Sequence, residues 1–85
     1  CTCLIRYSAG WAREADESLG AAEEFYVLEG SLEMDGQVFA ADHYGYVPAH
    51  WPRHRMRSAT GAVVLTFFDA RPEFSRAGEQ PRAVV

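Results

Sequence analysis

The dipeptide Asp35-Gly36 is the feature that most restricts how this chain folds. It separates two short runs of strand-forming residues, 31–34 and 37–40. Aspartate and glycine both accept the positive φ angles of a two-residue type I′ turn, whose twist matches that of the antiparallel strands it joins. The sequence therefore predicts a β-hairpin at this point.

Short apolar or alternating runs, divided by glycine and turn residues, continue along most of the chain. No window repeats apolar residues with the 3.6-residue period of a helix, so the chain is predicted to be all-β. We expect seven strands, at residues 2–7, 24–28, 31–34, 37–40, 45–47, 54–58 and 62–68. Residues 11–22 show no strand pattern and are predicted to form a loop, with a helical turn at 11–18 as the alternative. Seven short strands indicate a sandwich or a small barrel.

A chain of 85 residues is sufficient for one domain and lies near the lower limit for a single apolar core. We predict one domain, residues 1–85, with a barrel core at about 2–68 and a polar tail, 69–85, that leaves the core. Because a core this small benefits from a partner subunit, we expect a homodimer. The outward face of residues 62–68 is the candidate dimer surface.

Charge and composition argue against several classes of partner. The net charge of −4 disfavours a nucleic acid, which binds to basic surfaces. No apolar run approaches the ~20 residues of a membrane-spanning helix and no signal-peptide pattern is present, so we expect no membrane partner and a cytoplasmic location. The chain begins at Cys1 and not at Met, so we expect further residues upstream. Cys1 and Cys3 are expected to be ordinary thiols, because a disulfide across one residue is strained.

The spacing of residues between Gly10 and Gly30 is a second informative feature. Five residues separate Gly10 from the triplet Asp16-Glu17-Ser18, four separate the triplet from Glu23, and six separate Glu23 from Gly30. This spacing resembles the first signature of the cupin superfamily, in which histidines hold the positions of Asp16 and Ser18. The resemblance therefore includes the signature glutamate and neither histidine.

The stretch 42–58 resembles the second cupin signature. Its segment Tyr46-Val47-Pro48-Ala49 matches the family's approach to a turn, but His50 stands where the family has glycine. The family spacing from Pro48 to its metal-binding histidine leads to Arg53, whereas the nearest histidine, His54, lies one residue later. A bulge after Pro48 would absorb the extra residue and bring His54 into the histidine position.

This single residue decides which side chains of the strand enter the barrel, because alternate residues of a strand share a face. In the first register His54 and Met56 point inward, and the arginines at 53, 55 and 57 lie outside. In the second register the three arginines point inward and form a pocket for a carboxylate or phosphate. We favour the first register, since burying unpaired guanidinium groups is strongly unfavourable.

The resemblance covers about residues 4–68 and implies a small jelly-roll barrel, the cupin-type double-stranded β-helix, commonly dimeric and with a ligand site inside. It also implies a divalent transition metal as a possible cofactor, held in the family by three histidines and one glutamate. The candidate metal ligands are Glu23, His54, His50 and Asp16. The candidate ligand-binding residues are Trp51, Arg53, His54, Met56 and Tyr26.

Because only part of the metal set is present, we expect a cupin with an eroded metal site that binds a small polar or anionic molecule in its barrel. The alternative is a metal-dependent dioxygenase, isomerase or lyase that uses Glu23 and His54. A third hypothesis is a module that interacts with another subunit through its exposed strand. A purely structural role for Glu23 and His54, at a strand start and a core edge, also remains open.

Overall fold

The structure, a computed structural model, describes residues 1–71, 73–76 and 82–83. Within those residues it contains β-strands and no helix, as the sequence predicts. No helix there is long and apolar enough to cross a membrane. The nine strands are β1 (Thr2–Tyr7), β2 (Trp11–Leu19), β3 (Glu23–Met34), β4 (Gln37–Ala40), β5 (Tyr44–Val47), β6 (Arg53–Ser58), β7 (Ala62–Phe68), β8 (Glu73–Arg76) and β9 (Arg82–Ala83).

Strand β3 is the element on which the sheet curls. Its first part, residues 23–30, pairs with β5 and β7, and its last part, residues 31–34, pairs with β4 and β6. The strand order is β1-β7-β3-β6-β2-β8-β9, with β4 and β5 paired to β3 beside this path. One long strand therefore belongs to both halves of a curled sheet, and the two halves enclose a common core.

The predicted strands are found, with one difference in β3. Residues 24–28 and 31–34 were expected as separate strands, but a bulge between Val27 and Glu29 bends the chain without interrupting it. At Gly30, φ is +74° and a Cβ would lie 1.9 Å from the Gly61 carbonyl oxygen, so only glycine fits this bend. The predicted hairpin is confirmed: φ is +49° at Asp35 and +85° at Gly36.

The loop predicted at residues 11–22 is wrong, because most of it forms the nine-residue strand β2. The inward positions of β2 include Arg13 and Glu17, so the strand lacks the alternation of apolar and polar residues by which strands are recognised. Part of the predicted polar tail also continues the sheet, since β8 pairs with β2 and β9 pairs with β8. Pro72, Gly78 and Pro81, on which the tail prediction rested, lie outside the described residues.

The apolar core lies between the two halves of the sheet. Its buried members are Phe25, Val27, Leu32, Val47, Met56, Ala62 and Val64, with Tyr7, Trp11, Met34 and Phe39 packed against them. The Phe25 ring packs edge-on against Phe39, with ring centroids 4.9 Å apart. It also lies over Gly45, where a Cβ would come within 2.1 Å of the ring. The Phe25 ring thus packs directly against the backbone of Gly45, and a side chain at residue 45 would not fit.

Candidate functional site

Three charged side chains are buried inside the curled sheet, at the ends of three strands. Glu17 of β2, Glu23 of β3 and Arg53 of β6 are 8%, 7% and 5% exposed. The Arg53 Nη2 atom lies 2.6 Å from Glu23 Oε1. Glu17 is the cross-strand neighbour of Arg53. Buried charges are rare unless they are paired, so this group is the first candidate for a functional site.

A second arginine connects this group with the surface. Arg13 Nη2 lies 2.6 Å from Glu17 Oε1, and the Arg13 side chain is 37% exposed. Its guanidinium stands 5.8 Å from the centre of the Trp11 ring, within range of a cation–π interaction, and its Nη2 atom contacts the sulfur of Met56 at 3.1 Å. Glu17, Glu23, Arg53 and Arg13 together are called the interior charge cluster below.

Tyr7 lies close enough to the interior charge cluster for the charges of the cluster to affect its pKa. Burial raises the pKa of the Tyr7 hydroxyl, and the nearby Glu23 carboxylate raises it further. The positive charges of Arg13 and Arg53 oppose both effects. The Tyr7 ring packs against Trp11 with centroids 4.8 Å apart. The two aromatic rings therefore lie beside the cluster, where they lower the local dielectric constant.

The two buried ion pairs are close in distance but poor in hydrogen-bond direction. Both contacts measure 2.6 Å, yet Glu17 Oε1, Glu23 Oε1, Arg53 Nε and Arg53 Nη2 have no hydrogen-bond partner. We interpret the distances as charge pairing without directed N–H···O bonds, because a hydrogen bond weakens steeply when its angle is unfavourable. Glu17 Oε1, Glu23 Oε1 and Arg53 Nη2 are therefore engaged by these ion pairs, and Arg53 Nε is the one of the four atoms in neither an ion pair nor a hydrogen bond.

Glu17 points inward because β2 alternates regularly. Arg13 and Glu17 lie at inward positions, whereas Glu14 and Asp16 are exposed. The pairing with β6 contains a bulge, because Glu14 pairs with Arg55 and Glu17 pairs with Arg53, so three steps along β2 correspond to two steps along β6. Asp16, a predicted metal ligand, is therefore exposed, and the neighbouring Glu17 is buried.

His54 was predicted to point into the barrel, and the structure corrects this. Its side chain is 61% exposed, and its Nδ1 atom lies 2.6 Å from Asp16 Oδ1. The hydrogen bond to Asp16 raises the pKa of His54, with a smaller contribution from the charge of Asp35. Glu14, Asp16, His54 and Arg55 line a surface depression of about 360 Å³. Asp16 and His54 therefore meet each other, but on the outer surface.

Neither of the two registers considered for residues 53–58 is fully correct. Arg53, Met56 and Ser58 are buried, whereas His54, Arg55 and Arg57 are exposed. The favoured register was right for Met56 and wrong for Arg53, because Glu23 supplies the opposite charge that its burial requires. Outside the barrel, Arg55 and Arg57 pair with glutamates of the neighbouring strands, Glu14 at 3.4 Å and Glu33 at 2.9 Å.

Asp35 explains how β6 changes face between Arg53 and Met56. Its carboxylate accepts hydrogen bonds from the backbone N–H groups of His54 and Arg55, at 3.0 and 2.7 Å. Its own N–H donates to the Arg55 carbonyl at 2.8 Å. A side chain of the β3–β4 turn thus replaces a strand partner at the irregular position, and both backbone donors are satisfied.

The remaining candidate residues lie apart from the interior charge cluster. His50 is exposed in the turn before β6, with φ at +66°. Trp51 is 59% exposed and borders a groove of about 370 Å³ that Met34, Phe39 and Val47 also line. Tyr26 alternates with the buried residues of β3, and its hydroxyl donates to Asp42 at 2.7 Å. Of the predicted ligand-binding residues, Arg53 and Met56 are the two that are buried within the curled sheet.

Solved structures share this arrangement of strands. The chain aligns over 99% of its length with a Methylibium petroleiphilum PM1 protein provisionally assigned as an acetylacetone dioxygenase, with a TM-score of 0.78 and 19% identity, and spans 62% of that protein. It aligns over 96% of its length with a Ralstonia eutropha JMP134 protein of unknown function that has a cupin-like fold, with a TM-score of 0.71 and 12% identity, and spans 54% of it. It also aligns over 92% of its length with a salicylate 1,2-dioxygenase from Pseudoaminobacter salicylatoxidans, with a TM-score of 0.69 and 20% identity, and spans 24% of that protein.

The chain has the cupin fold. This confirms the jelly-roll architecture that the spacing from Gly10 to Gly30 suggested. At such low identities the likeness is one of fold, and fold alone does not specify chemistry. The chain spans less than two thirds of these proteins, and no protein-family model and no curated protein matches its sequence.

The residues of this chain do not fit a metal ion at the expected positions. Asp16 and His54 lie on the outer surface, and Glu23 inside is paired with Arg53. A guanidinium has no lone pair to donate to a metal, and its positive charge opposes a divalent cation. Within the described part of the chain, no group of three or more histidine, cysteine, aspartate or glutamate residues is placed to hold a metal.

Sequence reasoning missed Arg13, Glu17 and Tyr7 as site residues of this chain. Glu17 lies between the two signature positions, within residues that were predicted to form a loop and are found in β2, so no inward face was assigned to it. Arg53 did have a signal, because it occupies the position that the cupin spacing assigns to a histidine. The family spacing therefore predicted which side chain points inward better than the identity of the residue did.

Proposed function

We propose that this cupin binds a small polar molecule inside its barrel without a metal, and that Arg53 is the principal binding residue. The observation that carries the proposal is the Nε atom of Arg53, which is buried and has no hydrogen-bond partner, while Nη2 is held by Glu23. Buried polar groups without partners are uncommon, and they often indicate an ordered water or a ligand. The proposal thus gives the Nε donor a partner.

The chemistry of the guanidinium suits this role. The guanidinium is a planar fork with five N–H donors, so Arg53 can hold Glu23 through Nη2 and still donate from Nε to an oxygen of another molecule. The charge of Glu23 offsets the unfavourable burial of the arginine. Arg13, which is partly exposed, marks the side from which a ligand would approach.

The geometry gives no comparable support to a metal-dependent enzyme that uses Glu23 and His54. Glu23 is buried and His54 is exposed, so the two side chains do not converge on one ion. The dioxygenases of similar fold carry their activities in proteins that extend beyond the part matched by this chain. We therefore retain binding as the proposed function and treat a metal as an outcome of the test.

The test is to identify what the protein contains when it is purified under native conditions. Small molecules released on denaturation are measured by mass spectrometry, and metals by elemental analysis, for the wild type and for Arg53→Lys. Arg57→Lys is the matched control, because Arg57 lies on the same strand with its side chain outside. We expect a polar compound at one per chain in the wild type and Arg57→Lys, and its loss in Arg53→Lys, since lysine lacks the fork.

A stoichiometric transition metal that is lost on Glu23→Gln would overturn the proposal. So would a compound retained at the same level by Arg53→Lys, because Arg53 would then not be the binding residue.

We further propose that the protein is a homodimer formed through the outer face of the β1, β7, β3 and β5 strands. Leu4, Tyr44, Tyr46 and Phe67 are exposed on this face, and the pairing of strands places Leu4, Leu65, Tyr26 and Tyr44 in one row across it. Apolar sheet faces of this kind are common in subunit interfaces. Sedimentation at micromolar concentration tests this, and a monomer in the wild type would exclude it.

A further inference from the structure

We propose that Cys1 and Cys3 form a two-thiolate binding site for a soft cation such as Cu(I). The Sγ atoms of these two cysteines lie 3.9 Å apart, and neither belongs to a disulfide. They are the only cysteines of the chain. The site includes no residue of the interior charge cluster, so it is a second site that does not depend on the function proposed above.

The ladder between β1 and β7 holds both cysteines in place. Cys3 pairs with Thr66, and Cys1, directly before β1, exchanges two backbone hydrogen bonds with Phe68, at 3.0 and 2.7 Å. Residues that are two apart in a strand share a face, so the ladder directs both thiols to the same side of the sheet. The backbone therefore brings the two sulfur atoms together before any ion binds, which lowers the entropic cost of binding.

The separation of the sulfur atoms suits one shared cation. With metal–sulfur bonds of about 2.3 Å, as in zinc thiolates, a gap of 3.9 Å corresponds to an S–metal–S angle of about 116°. This angle lies between the trigonal and the tetrahedral values, so both sulfur atoms can coordinate at once. Each thiol that binds exchanges its S–H bond for a sulfur–metal bond and releases its proton to solvent.

A disulfide is the competing product, and the strand geometry disfavours it. The sulfur atoms would have to approach from 3.9 Å to about 2.05 Å. Two steps along an extended strand also separate the Cα atoms by about 6.6–6.8 Å, at the upper limit of the range that disulfides span. A disulfide formed there is strained and easily reduced, so the geometry favours the pair of thiols, which is the form that binds a metal.

The set of ligands favours a soft ion that needs few of them. Thiolates select Cu(I) or Zn²⁺ over hard cations. Structural zinc sites use four protein ligands, whereas no group of three or more histidine, cysteine, aspartate or glutamate residues is placed to hold a metal in the part of the chain that the structure describes. Cu(I) is stable with two or three sulfur ligands and fits this pair better. Because Cys1 is exposed and β1 ends the strand order, a third position remains open to a small thiol from solvent.

The test is a competition for Cu(I) between the reduced protein and a colorimetric Cu(I) chelator, under anaerobic conditions. We expect the wild type to bind one Cu(I) per chain. Cys1→Ser and Cys3→Ser should each weaken binding at least about a hundredfold, because the second thiolate then no longer acts at high effective concentration. Undiminished binding in either single variant would overturn the inference.

The matched control exchanges two neighbouring residues of β1. Thr2→Cys combined with Cys3→Thr keeps the composition, but adjacent residues of a strand point to opposite faces, so the two thiols are separated. This variant should have the circular dichroism spectrum of the wild type and bind Cu(I) as weakly as the single variants do. Wild-type affinity in the exchanged variant would overturn the inference. So would a wild type that has lost its free thiols after purification in air, because the disulfide would then form readily.

The metal content of the variants separates this inference from the proposed function. Arg53→Lys should leave Cu(I) binding unchanged, because Arg53 is no part of the cysteine pair. A metal that is lost in Cys1→Ser and retained in Glu23→Gln would support the two-thiolate site and leave the proposed function standing. Loss of Cu(I) binding in Arg53→Lys, with both thiols still free, would overturn the inference.

Discussion

The guanidinium of Arg53 lies 2.6 Å from the carboxylate of Glu23, and these side chains are only 6% and 9% exposed. This pair joins the start of β6 to the start of β3, inside the curled sheet. A second pair, Arg57 with Glu33, joins the same two strands on the outside at 2.9 Å, with exposures of 52% and 20%. The protein therefore contains a buried ion pair and its exposed counterpart between one pair of strands.

We predict that Arg53→Gln and Glu23→Gln each lower the free energy of unfolding by about 3–5 kcal/mol, because each leaves one buried charge without its partner. The double variant should lose less than either single variant, since no charge then remains buried. Arg57→Gln and Glu33→Gln, as controls, should each lose only about 0.2–1 kcal/mol. Urea denaturation of the five variants measures these values. A double variant as unstable as the sum of the singles would show that the two side chains do not interact.

The fold was predictable because it depends on positions that the sequence marks directly. Asp35-Gly36 specified a hairpin, and both residues adopt the positive φ angles that its turn requires. The β-branched run of Ala62–Phe68 specified a strand, and its inward residues Val64 and Thr66 are each 1% exposed. These signals are local, so one sequence is enough to read them.

The site was less predictable because β2 was not recognised as a strand and β6 changes face. β2 alternates regularly, but its inward residues Arg13 and Glu17 are charged, so no apolar pattern marks it. The change of face after Arg53 interrupts the alternation of β6 and does not follow from local propensity, since it accompanies the register shift against β2 and the hydrogen bonds of the Asp35 carboxylate. The favoured register placed His54 inside and Arg53 outside, because it did not consider Glu23 as the partner that offsets the charge of a buried arginine.

Replacing His50 with glycine should stabilise the protein. His50 has a φ of +66°, a conformation that is unfavourable for residues with a Cβ, and it stands where the cupin signature has glycine. We expect His50→Gly to raise the free energy of unfolding by about 1 kcal/mol. Asp35→Gly is the contrasting variant: its φ is also positive, but its carboxylate accepts two backbone hydrogen bonds, so its loss should destabilise the protein by about 1–3 kcal/mol. A loss of stability in His50→Gly would contradict the first expectation.

Gly45→Ala should destabilise the protein through one contact. The new Cβ would lie 2.1 Å from Cζ of Phe25, a buried ring that must then move within the packed core. Overpacking of this kind costs about 1–3 kcal/mol. The change should be much less harmful in a Phe25→Leu background, where the end of the ring is absent. Thermal denaturation of the two single variants and the double variant measures the coupling, and strictly additive effects would show that the strain arises elsewhere.

Asp16 and His54 should make stability depend on pH. Their hydrogen bond raises the pKa of His54 above its ordinary value of 6.5, so the folded protein binds this proton more tightly than the unfolded chain does. The resulting stabilisation is complete below the unfolded-state pKa and is lost as the pH rises through the higher folded-state pKa. Asp16→Asn should bring the pKa of His54 closer to its ordinary value, although Asp35 still acts on it.

The measurement is an NMR titration of the His54 ring in the wild type and in Asp16→Asn, combined with denaturation at several pH values. Relative to Asp16→Asn, the wild type should be most stable near about pH 5, and this advantage should decline by about pH 9 as His54 loses its proton. Glu14→Gln is the control: it removes a carboxylate from the same depression, but Glu14 pairs with Arg55 and not with His54. An unchanged His54 titration in Asp16→Asn would mean that the 2.6 Å contact does not persist in solution, and that His54 is an independent surface residue.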